Sequence, residues 1–506
     1  MRPGSTDTSR AKAAAPLVAA AALALAAPLA PGSAAAQARD TLVIGMALEP
    51  PMLDPTAGAA AAIREVTYAN IFEGLVRIAA DGSIQPALAR SWEISEDGTV
   101  YTFALAEGVR FHDGAAFDCS VVQFSFERAV APDSTNAQKG LFEPIVSTEC
   151  PDEHTAVITL ARPTARFLFN MGWGDAVMVH PDTAADNRTN PVGTGPFRFA
   201  SRVQGDRIEL ERNEDYWGEP AALSRVTFRF VSDPAAATSA MLAGDLDAFP
   251  NFPAAEALPQ FRADDRFVVE IGDTQGEVLL SLNNARAPFD DVRVRHALAH
   301  AIDAQVLIDA VHEGIGTPIG SHFTPNDPGF VDLADAFPFD PDRARALLAE
   351  AGAEGATIRI TLPPPAYARR GGEVIAALLQ NVGLRVELIP MEWAQWLEQV
   401  FRNTDFDATI IAHVEPRDFD IFAREDYYFN YESEEYRETF QRWVESTDEA
   451  EQLELLGELQ RILSRDQPAV FLYVLPKLGV WRAGLEGMWT NQPIPANDVT
   501  RVRWTQ

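Results

Sequence analysis

The chain has 506 residues, of which 47% are hydrophobic and 23% are charged, a composition typical of a folded globular protein. This length is too great for one ordinary domain, so we expect two or three lobes. The formal net charge of -32 argues against nucleic acid and anionic lipid as partners, because an acidic surface repels both.

The N-terminus has the three parts of a secretory signal peptide. A basic start (residues 1–12) precedes a nearly apolar run (residues 13–30), and the small residues 34–36 follow as a cleavage site. We predict cleavage after Ala36 or after Ala38, and export to the periplasm. A membrane anchor is the alternative, since the apolar run has about the minimum length for a bilayer span, although prolines interrupt it.

The chain has two cysteines, Cys119 and Cys150. An even number of cysteines in an exported protein favours one disulfide bond. Two unpaired buried thiols are the alternative. Two cysteines alone do not make a structural zinc site, which needs four thiolate or imidazole ligands.

Apolar periodicity and turn residues predict alternating elements in the first half of the exported chain. The predicted helices are residues 61–78, 118–130 and 234–243. The predicted strands are residues 41–47, 92–95, 100–105, 156–160, 207–212, 225–231 and 277–282, of which the second and third form a hairpin.

The second half shows the same alternation, which implies βαβ units, a parallel-rich sheet and therefore an α/β fold. The helix over residues 344–351 is the best marked, with Asp340 as N-cap, Pro341 in the first turn and Gly352 at the end. The other predicted elements are helices 293–301, 373–381 and 393–402 and strands 358–362, 385–389, 408–412 and 469–474.

Several short motifs follow one another in a distinctive order. They are Leu53-Asp54-Pro55, Ile71-Phe72-Glu73-Gly74-Leu75, Leu88-Ala89-x-Ser91-Trp92, Gly108-Val109-x-Phe111-His112-Asp113-Gly114, Gly193-Thr194-Gly195-Pro196-Phe197, and Pro288-Phe289-x-Asp291-x-Arg293-Val294-Arg295. In this order and spacing the sequence resembles the family 5 extracellular solute-binding proteins, the group of dipeptide, oligopeptide and nickel carriers.

The resemblance implies a two-lobed periplasmic-binding-protein clamshell of type II, with an extra subdomain on the first lobe. Residues 1–36 would be the signal peptide and residues 284–473 the second lobe. The chain would cross between the lobes near residues 281–284 and 471–474. The first lobe would combine residues 39–80, 186–280 and 475–506, with residues 81–185 as the extra subdomain.

The ligand-binding residues are expected at strand ends of the second lobe, where open α/β sheets bind ligands. Tyr367 and Trp393 match aromatic residues that line the pocket in relatives, and the loop from His413 supplies polar groups. Helix-start packing is the alternative role for Trp393. The predicted ligand-binding residues are Trp393, Tyr367, His413, Glu415, Arg417 and Asp418.

The loop departs from the pattern of peptide carriers. His413 stands near the expected tryptophan, and the carboxylate that pairs with a peptide amine is either Glu415 or Asp418. Dipeptide carriers tend to have an arginine two residues before the tyrosine, where this chain has Pro365. A peptide ligand is therefore inferred from the majority of the family.

The resemblance implies a non-enzymatic substrate-binding protein of an ABC transporter. It would capture a peptide or similar polar solute between two lobes and deliver it to the membrane permease and its ATPase subunits. A monomer is expected, with no cofactor, no metal and no nucleic-acid partner. The alternatives are a non-peptide solute (an opine, an oligosaccharide or a metal complex) and a periplasmic sensor or chaperone.

Two further alternatives carry less weight. His296 and His300 lie four residues apart on a predicted helix and share a face, but a solvated or capped pair is the simpler interpretation. Catalysis is not favoured, because the chain has no GxSxG elbow, no CxxC pair and no Walker loop.

Overall fold

The structure is a computed structural model, in which residues Asp40–Gln506 form one compact unit. The predicted signal peptide lies outside the described residues, which are 39–58, 60–415 and 417–505. Within those ranges the description omits the side chains of Ala366, Trp393, Ala394 and Glu449.

The strands of the described residues are numbered in chain order. They are β1 Thr41–Met46, β2 Val76–Ile78, β3 Ile84–Pro86, β4 Ala89–Ile94, β5 Val100–Leu105, β6 Ile145–Asp152, β7 Thr155–Leu160, β8 Phe197–Val203, β9 Arg207–Arg212, β10 Arg225–Phe230, β11 Ala248–Phe249, β12 Phe267–Leu282, β13 Thr317–Pro318, β14 Thr357–Leu362, β15 Arg385–Pro390, β16 Ala408–His413, β17 Ala469–Arg482, β18 Leu485–Glu486 and β19 Arg503–Trp504.

The helices are numbered in the same way. They are α1 Ala61–Thr67, α2 Cys119–Val130, α3 Phe167–Met171, α4 Pro234–Ala243, α5 Leu258–Arg262, α6 Val292–Ala301, α7 Ala304–His312, α8 Pro341–Ala351, α9 Ala366–Asn381, α10 Trp393–Trp396, α11 Glu434–Glu445 and α12 Glu449–Asp466. A π-helix continues α10 over Leu397–Arg402. Short 3₁₀ helices cover Lys139–Leu141, Gly174–Ala176, Ala255–Ala257, Ala334–Ala336 and Phe419–Phe422.

A mixed sheet runs through the described part of the molecule in the order β15-β14-β16-β12-β17-β11-β1-β10-β9-β8, with β13 also paired to β17. Strands β14, β15 and β16 are parallel to one another, and β1 is parallel to β10 and β11. The long antiparallel pair β12 and β17 joins these two halves, with a register shift between Asp273 and Glu277. The predicted α/β alternation is therefore present at both ends of one sheet.

A second, four-stranded antiparallel sheet has the order β4-β5-β7-β6 and a core of its own. Tyr101, Phe103 and Leu105 alternate with more exposed neighbours along β5, so one face of this sheet is buried. A disulfide bond between Cys119 and Cys150, with a Cα–Cα distance of 5.7 Å, fastens α2 to β6. The predicted disulfide is confirmed.

The helix predicted over residues 61–78 is wrong beyond Thr67, where α1 ends. Ala69 has a φ of 56°, and the chain then passes close to the Gly/Pro loop. The amide of Gly195 donates to the carbonyl of Ile71 at 2.9 Å, and a Cβ at Gly193 would lie 1.9 Å from the same oxygen. This tertiary contact overrides the helical spacing of the apolar residues.

The helix caps follow the local sequence. Asp340 accepts hydrogen bonds from the amides of Asp342 and Arg343, and Gly352 takes a left-handed φ of 68° at the end of α8. None of the helices in the described part of the chain combines the length and apolarity that a bilayer span requires.

Candidate ligand-binding cleft

A cavity of about 780 Å³ lies between two distant parts of the chain. One wall comes from residues 137–173, which lie around the last strands of the four-stranded sheet, and the other from residues 396–444, around the end of β16. The lining is mixed, with the aromatic rings of Trp396, Phe401 and Tyr427 beside several charged groups. This volume is in the range of pockets that hold small molecules.

Strand β16 positions the polar end of the cavity. His413, the last residue of this strand, is opposite Glu277 of β12 in the antiparallel register. Residues paired in this way point to the same face of a sheet, so the imidazole and the carboxyl are neighbours. The loop after β16 then places Asp418 beside the same imidazole.

Asp418 is held by two histidines. The Nε2 of His322 donates to the Asp418 Oδ1 at 2.7 Å, and the His413 Nδ1 lies 3.4 Å from the other carboxyl oxygen. Burial alone would raise the pKa of Asp418, but the two imidazoles lower it below its ordinary value. Asp418 is therefore an ionised group in the wall of the cavity.

Glu277 lies behind the same wall, and its pKa shifts in the direction opposite to that of Asp418. It is buried, and its pKa is raised well above the ordinary value by burial first and then by the charges of Asp418 and Asp327. Its Oε2 has no hydrogen-bond partner. Asp327 is also buried, and burial raises its pKa as well.

Arg166 bridges the two walls. Its guanidinium donates to the carbonyl of Arg417 and, at 3.0 Å, to the Asp420 carboxylate. The Arg417 guanidinium in turn lies over the ring of Phe169, with 3.8 Å between its Cζ and the ring centre. Arg424 shares the other Asp420 oxygen. These contacts hold the loop after β16 against the helix α3.

Glu415 is an exposed carboxylate of the lining, as is Glu143 on the opposite wall. Its Oε2 accepts one hydrogen bond, from the Val414 amide at 3.2 Å. Unlike Asp418, it has no imidazole or guanidinium contact in the part of the chain that is described. Of the three carboxylates that follow β16, which are Glu415, Asp418 and Asp420, Glu415 is thus the most available to a solute.

The structure brings three of the predicted ligand-binding residues together, because His413, Glu415 and Asp418 all line the cavity. Arg417 lines an adjacent cavity of about 480 Å³. Tyr367 lies apart from both cavities; it packs against the core around β14, and its hydroxyl accepts from the Ala412 amide at 3.1 Å. The side chain of Trp393 lies outside the described part. A ligand role for each of these residues stays a prediction.

Sequence reasoning missed His322, Glu277 and Arg166. Glu277 carried a signal, since it is the charged residue at the start of an otherwise apolar run. His322 and Arg166 carried none, because only tertiary contacts give them a role. The aromatic stretch 426–431 supplies Tyr427 and Tyr428 to the cavity lining.

The histidine pair on α6 lies elsewhere. His296 Nε2 is 2.7 Å from the Arg465 carbonyl oxygen, and His300 Nδ1 is 2.8 Å from that of Pro338. Both rings also pack against Phe337. Each imidazole is therefore bonded to a separate backbone carbonyl.

The fold and the cavity define a two-lobed clamshell binding protein with a mixed sheet and an added antiparallel subdomain. The profile of the bacterial extracellular solute-binding proteins, family 5, matches residues 83–431, and the chain belongs to this family. The predicted fold class is confirmed.

Curated relatives and solved structures agree with this assignment. The chain is 32% identical over 353 residues to heme-binding protein A of Haemophilus influenzae, covering 62% of this chain and 63% of that protein. It is 32% identical over 341 residues to the glutathione-binding protein GsiB of Pectobacterium atrosepticum, covering 65% of each. The chain thus spans less than two thirds of the length of these relatives.

Among solved structures, the periplasmic binding protein DppA of Helicobacter pylori in complex with the peptide STSA is similar, with a TM-score of 0.78 and 25% identity. The match covers 93% of this chain and 99% of that chain. The similarity therefore extends over nearly the whole length of the solved protein.

Proposed function

We propose that the protein is the periplasmic substrate-binding component of an ABC importer. It captures a small polar solute in the 780 Å³ cavity and delivers it to a membrane permease with its ATPase subunits. In this proposal residues 1–36 direct export and are removed, and the exported chain acts as a monomer. Membership of the family of extracellular solute-binding proteins supports both the location and the absence of catalysis.

The observation that carries the proposal is the two-sided cavity. Its walls come from residues 137–173 and 396–444, which belong to the predicted extra subdomain of lobe I and to the predicted lobe II. A solute that contacts both walls favours the arrangement in which they approach each other. A permease can then distinguish the loaded protein from the empty one by its shape.

The lining favours a solute with both an amine and a carboxylate, as in a short peptide. Glu415 is an exposed carboxylate at the end of β16 and is suited to an ammonium ion. Arg166 and Arg424 supply two guanidinium groups against the single carboxylate of Asp420, which leaves positive charge for a solute carboxylate. The aromatic walls offer apolar area that tolerates different side chains.

A binding role also fits the chemistry of the cavity better than catalysis does. The His322–Asp418 pair resembles part of a catalytic relay, but no serine or cysteine occurs among the described residues that line the cavity. Within the described part of the chain, the two imidazoles contact the carboxylate of Asp418 and the hydroxyl of Tyr428, and neither is bonded to a serine or cysteine.

The test is thermal unfolding of residues 37–506 against dipeptides to pentapeptides, opines, sugars and heme. A solute at about a hundred times its Kd stabilises the protein by about 2.7 kcal/mol, which raises the unfolding temperature measurably. We expect short peptides to do so. Stabilisation by opines or sugars alone would contradict the peptide proposal, and no stabilisation by any solute would contradict solute capture.

A matched pair of variants tests the amine site. Loss of a charge-assisted hydrogen bond costs about 1.5–3 kcal/mol, so Glu415→Gln should weaken peptide binding by roughly 10- to 100-fold. Glu432→Gln removes the same charge from an exposed residue outside the cavity and should bind peptides like the wild type. Equal affinities of the two variants would remove Glu415 from the site.

A further inference from the structure

A group of buried polar side chains lies directly behind the cavity wall. His322, Glu277, Asp327 and Gln275 are each less than a tenth exposed. Each has a buried atom without a hydrogen-bond partner: His322 Nδ1, Glu277 Oε2, Asp327 Oδ1 and Gln275 Oε1. Buried polar atoms in folded proteins are nearly always satisfied, so several orphans in one place indicate a missing partner.

Some of these side chains have the geometry of a metal site. One ligand atom each from His322, His413 and Asp418 lie within 4.8 Å of one another. These three side chains present two imidazole nitrogens and one carboxylate. Glu277 stands opposite His413 in the sheet register, and its Oε2 has no partner among the described residues, so a shift of its side chain would add a second carboxylate.

We propose that His322, His413, Asp418 and Glu277 form a binding site for a divalent transition-metal ion of the Zn²⁺ class. Imidazole with carboxylate is the donor set such ions prefer, whereas Ca²⁺ and Mg²⁺ prefer oxygen alone. In a tetrahedral zinc site the ligand atoms are roughly 3.3 Å apart, so the ion would replace the 2.7 Å hydrogen bond between His322 and Asp418 with two bonds to the metal.

The charge of the site supports a cation. The Asp418 carboxylate lies between the two imidazoles, with its oxygens 2.7 Å from His322 Nε2 and 3.4 Å from His413 Nδ1. A divalent cation bound there would balance this carboxylate and give a partner to the Glu277 Oε2, which has none among the described residues.

The ion also has a route to the site. His413 and Asp418 line the cavity, while His322 and Glu277 lie deeper and are buried. An ion arriving through the cavity therefore meets the two outer ligands first and the two inner ligands afterwards. A proton on one imidazole is the competing explanation, since it also compensates Asp418, but it leaves the Glu277 oxygen unsatisfied.

The experiment is calorimetric titration of ZnCl₂ into untagged residues 37–506 that have been stripped with a chelator and dialysed. We expect one ion per chain. His322→Gln and Glu277→Gln should each weaken Zn²⁺ binding by at least about 10-fold, the lower end of what perturbing a metal's ligand set costs. The control is His300→Gln, on the separate histidine pair of α6, which should bind Zn²⁺ like the wild type.

A spectroscopic arm needs no variant. Co²⁺ added to the stripped wild type should give the visible absorption of a four-coordinate site, and Zn²⁺ should displace it. This arm decides the question if His322→Gln does not fold. No Zn²⁺ binding by the wild type, or the same affinity in the ligand variants as in the control, would overturn the proposal and leave the proton as the explanation.

The proposed metal site and the proposed solute capture can be refuted independently of each other. Peptide-induced stabilisation measured in the presence of a chelator tests solute capture without the metal. Zn²⁺ titration without peptide tests the metal site without the solute. Solute binding without Zn²⁺ binding would refute the metal site alone, and the reverse would refute the proposed function alone.

Discussion

Arg166 offers the sharpest test of how the cavity closes, because its contacts cross from one wall to the other. Its guanidinium donates to the Arg417 carbonyl and to the Asp420 carboxylate. The side chains of Arg166 and Asp420 are 22% and 21% exposed. Hydrogen bonds to charged groups contribute about 1.5–3 kcal/mol, and partial exposure lowers that value. Arg424 still pairs with Asp420 in Arg166→Ala, so no carboxylate is left alone. We expect a cost of about 2 kcal/mol.

This cost applies to the closed arrangement only, since the contacts are absent when the walls separate. The apparent affinity for a solute held between the walls should therefore fall by about 30-fold in Arg166→Ala. The assay is calorimetric titration with the peptide that stabilises the wild type best. Arg90→Ala is the control, because Arg90 is exposed on β4 and lies outside the cavity lining. An affinity for Arg166→Ala within twofold of the control would refute the reasoning.

Three further predictions concern stability. Cys150→Ser removes the disulfide bond to Cys119, which closes a loop of sequence separation 31. The chain-entropy relation then gives a loss of about 3.7 kcal/mol in the free energy of unfolding. An unchanged urea midpoint would contradict this prediction. Gly193→Ala should lower the free energy of unfolding by about 1–3 kcal/mol, because the new Cβ would clash with the Ile71 carbonyl. The control Gly140→Ala has open space around its Cβ and should not change it. Equal urea midpoints for the two variants would contradict this prediction. Burial raises the pKa of Glu65 to about 7, so its carboxyl favours the folded state below the unfolded pKa of about 4.5, and this contribution is lost as the pH rises through 7. The stability of Glu65→Gln relative to the wild type should rise by up to about 3 kcal/mol between about pH 5 and about pH 8, and a difference that does not change with pH would contradict the assignment.

Much of the fold was predictable because its signals are local. Helix α8 begins and ends where Asp340, Pro341 and Gly352 indicate, and strands β9, β14, β15 and β16 occupy the predicted runs to within one residue. The prediction of a helix over residues 61–78 was wrong about its end, because that end depends on the close approach of the loop that contains Gly193. The acidic helices α11 and α12 were not predicted, although their buried residues recur at helical spacing, as Leu455, Leu459 and Ile462 do in α12.

The candidate site was predictable only on one side. The end of β16 could be found, because α/β sheets bind ligands at strand ends, and His413, Glu415 and Asp418 follow from that rule. The opposite wall with Arg166 and the buried partner His322 depend on contacts between residues far apart in the chain. Their sequence neighbourhoods carry no pattern that distinguishes them from surface or core residues.

The measurement that tests the central claim most directly is solute binding to a variant with a filled cavity. Ala137 is an exposed residue of the cavity lining, on the wall opposite β16, so Ala137→Trp should occupy the space that a solute needs. Ala349→Trp adds the same side chain to the exposed face of α8 and serves as the control. We predict that Ala137→Trp folds but loses solute affinity by at least about 100-fold, while the control binds like the wild type. Solute binding by Ala137→Trp with the affinity of the control would contradict the proposed cavity, because the solute would then bind somewhere else.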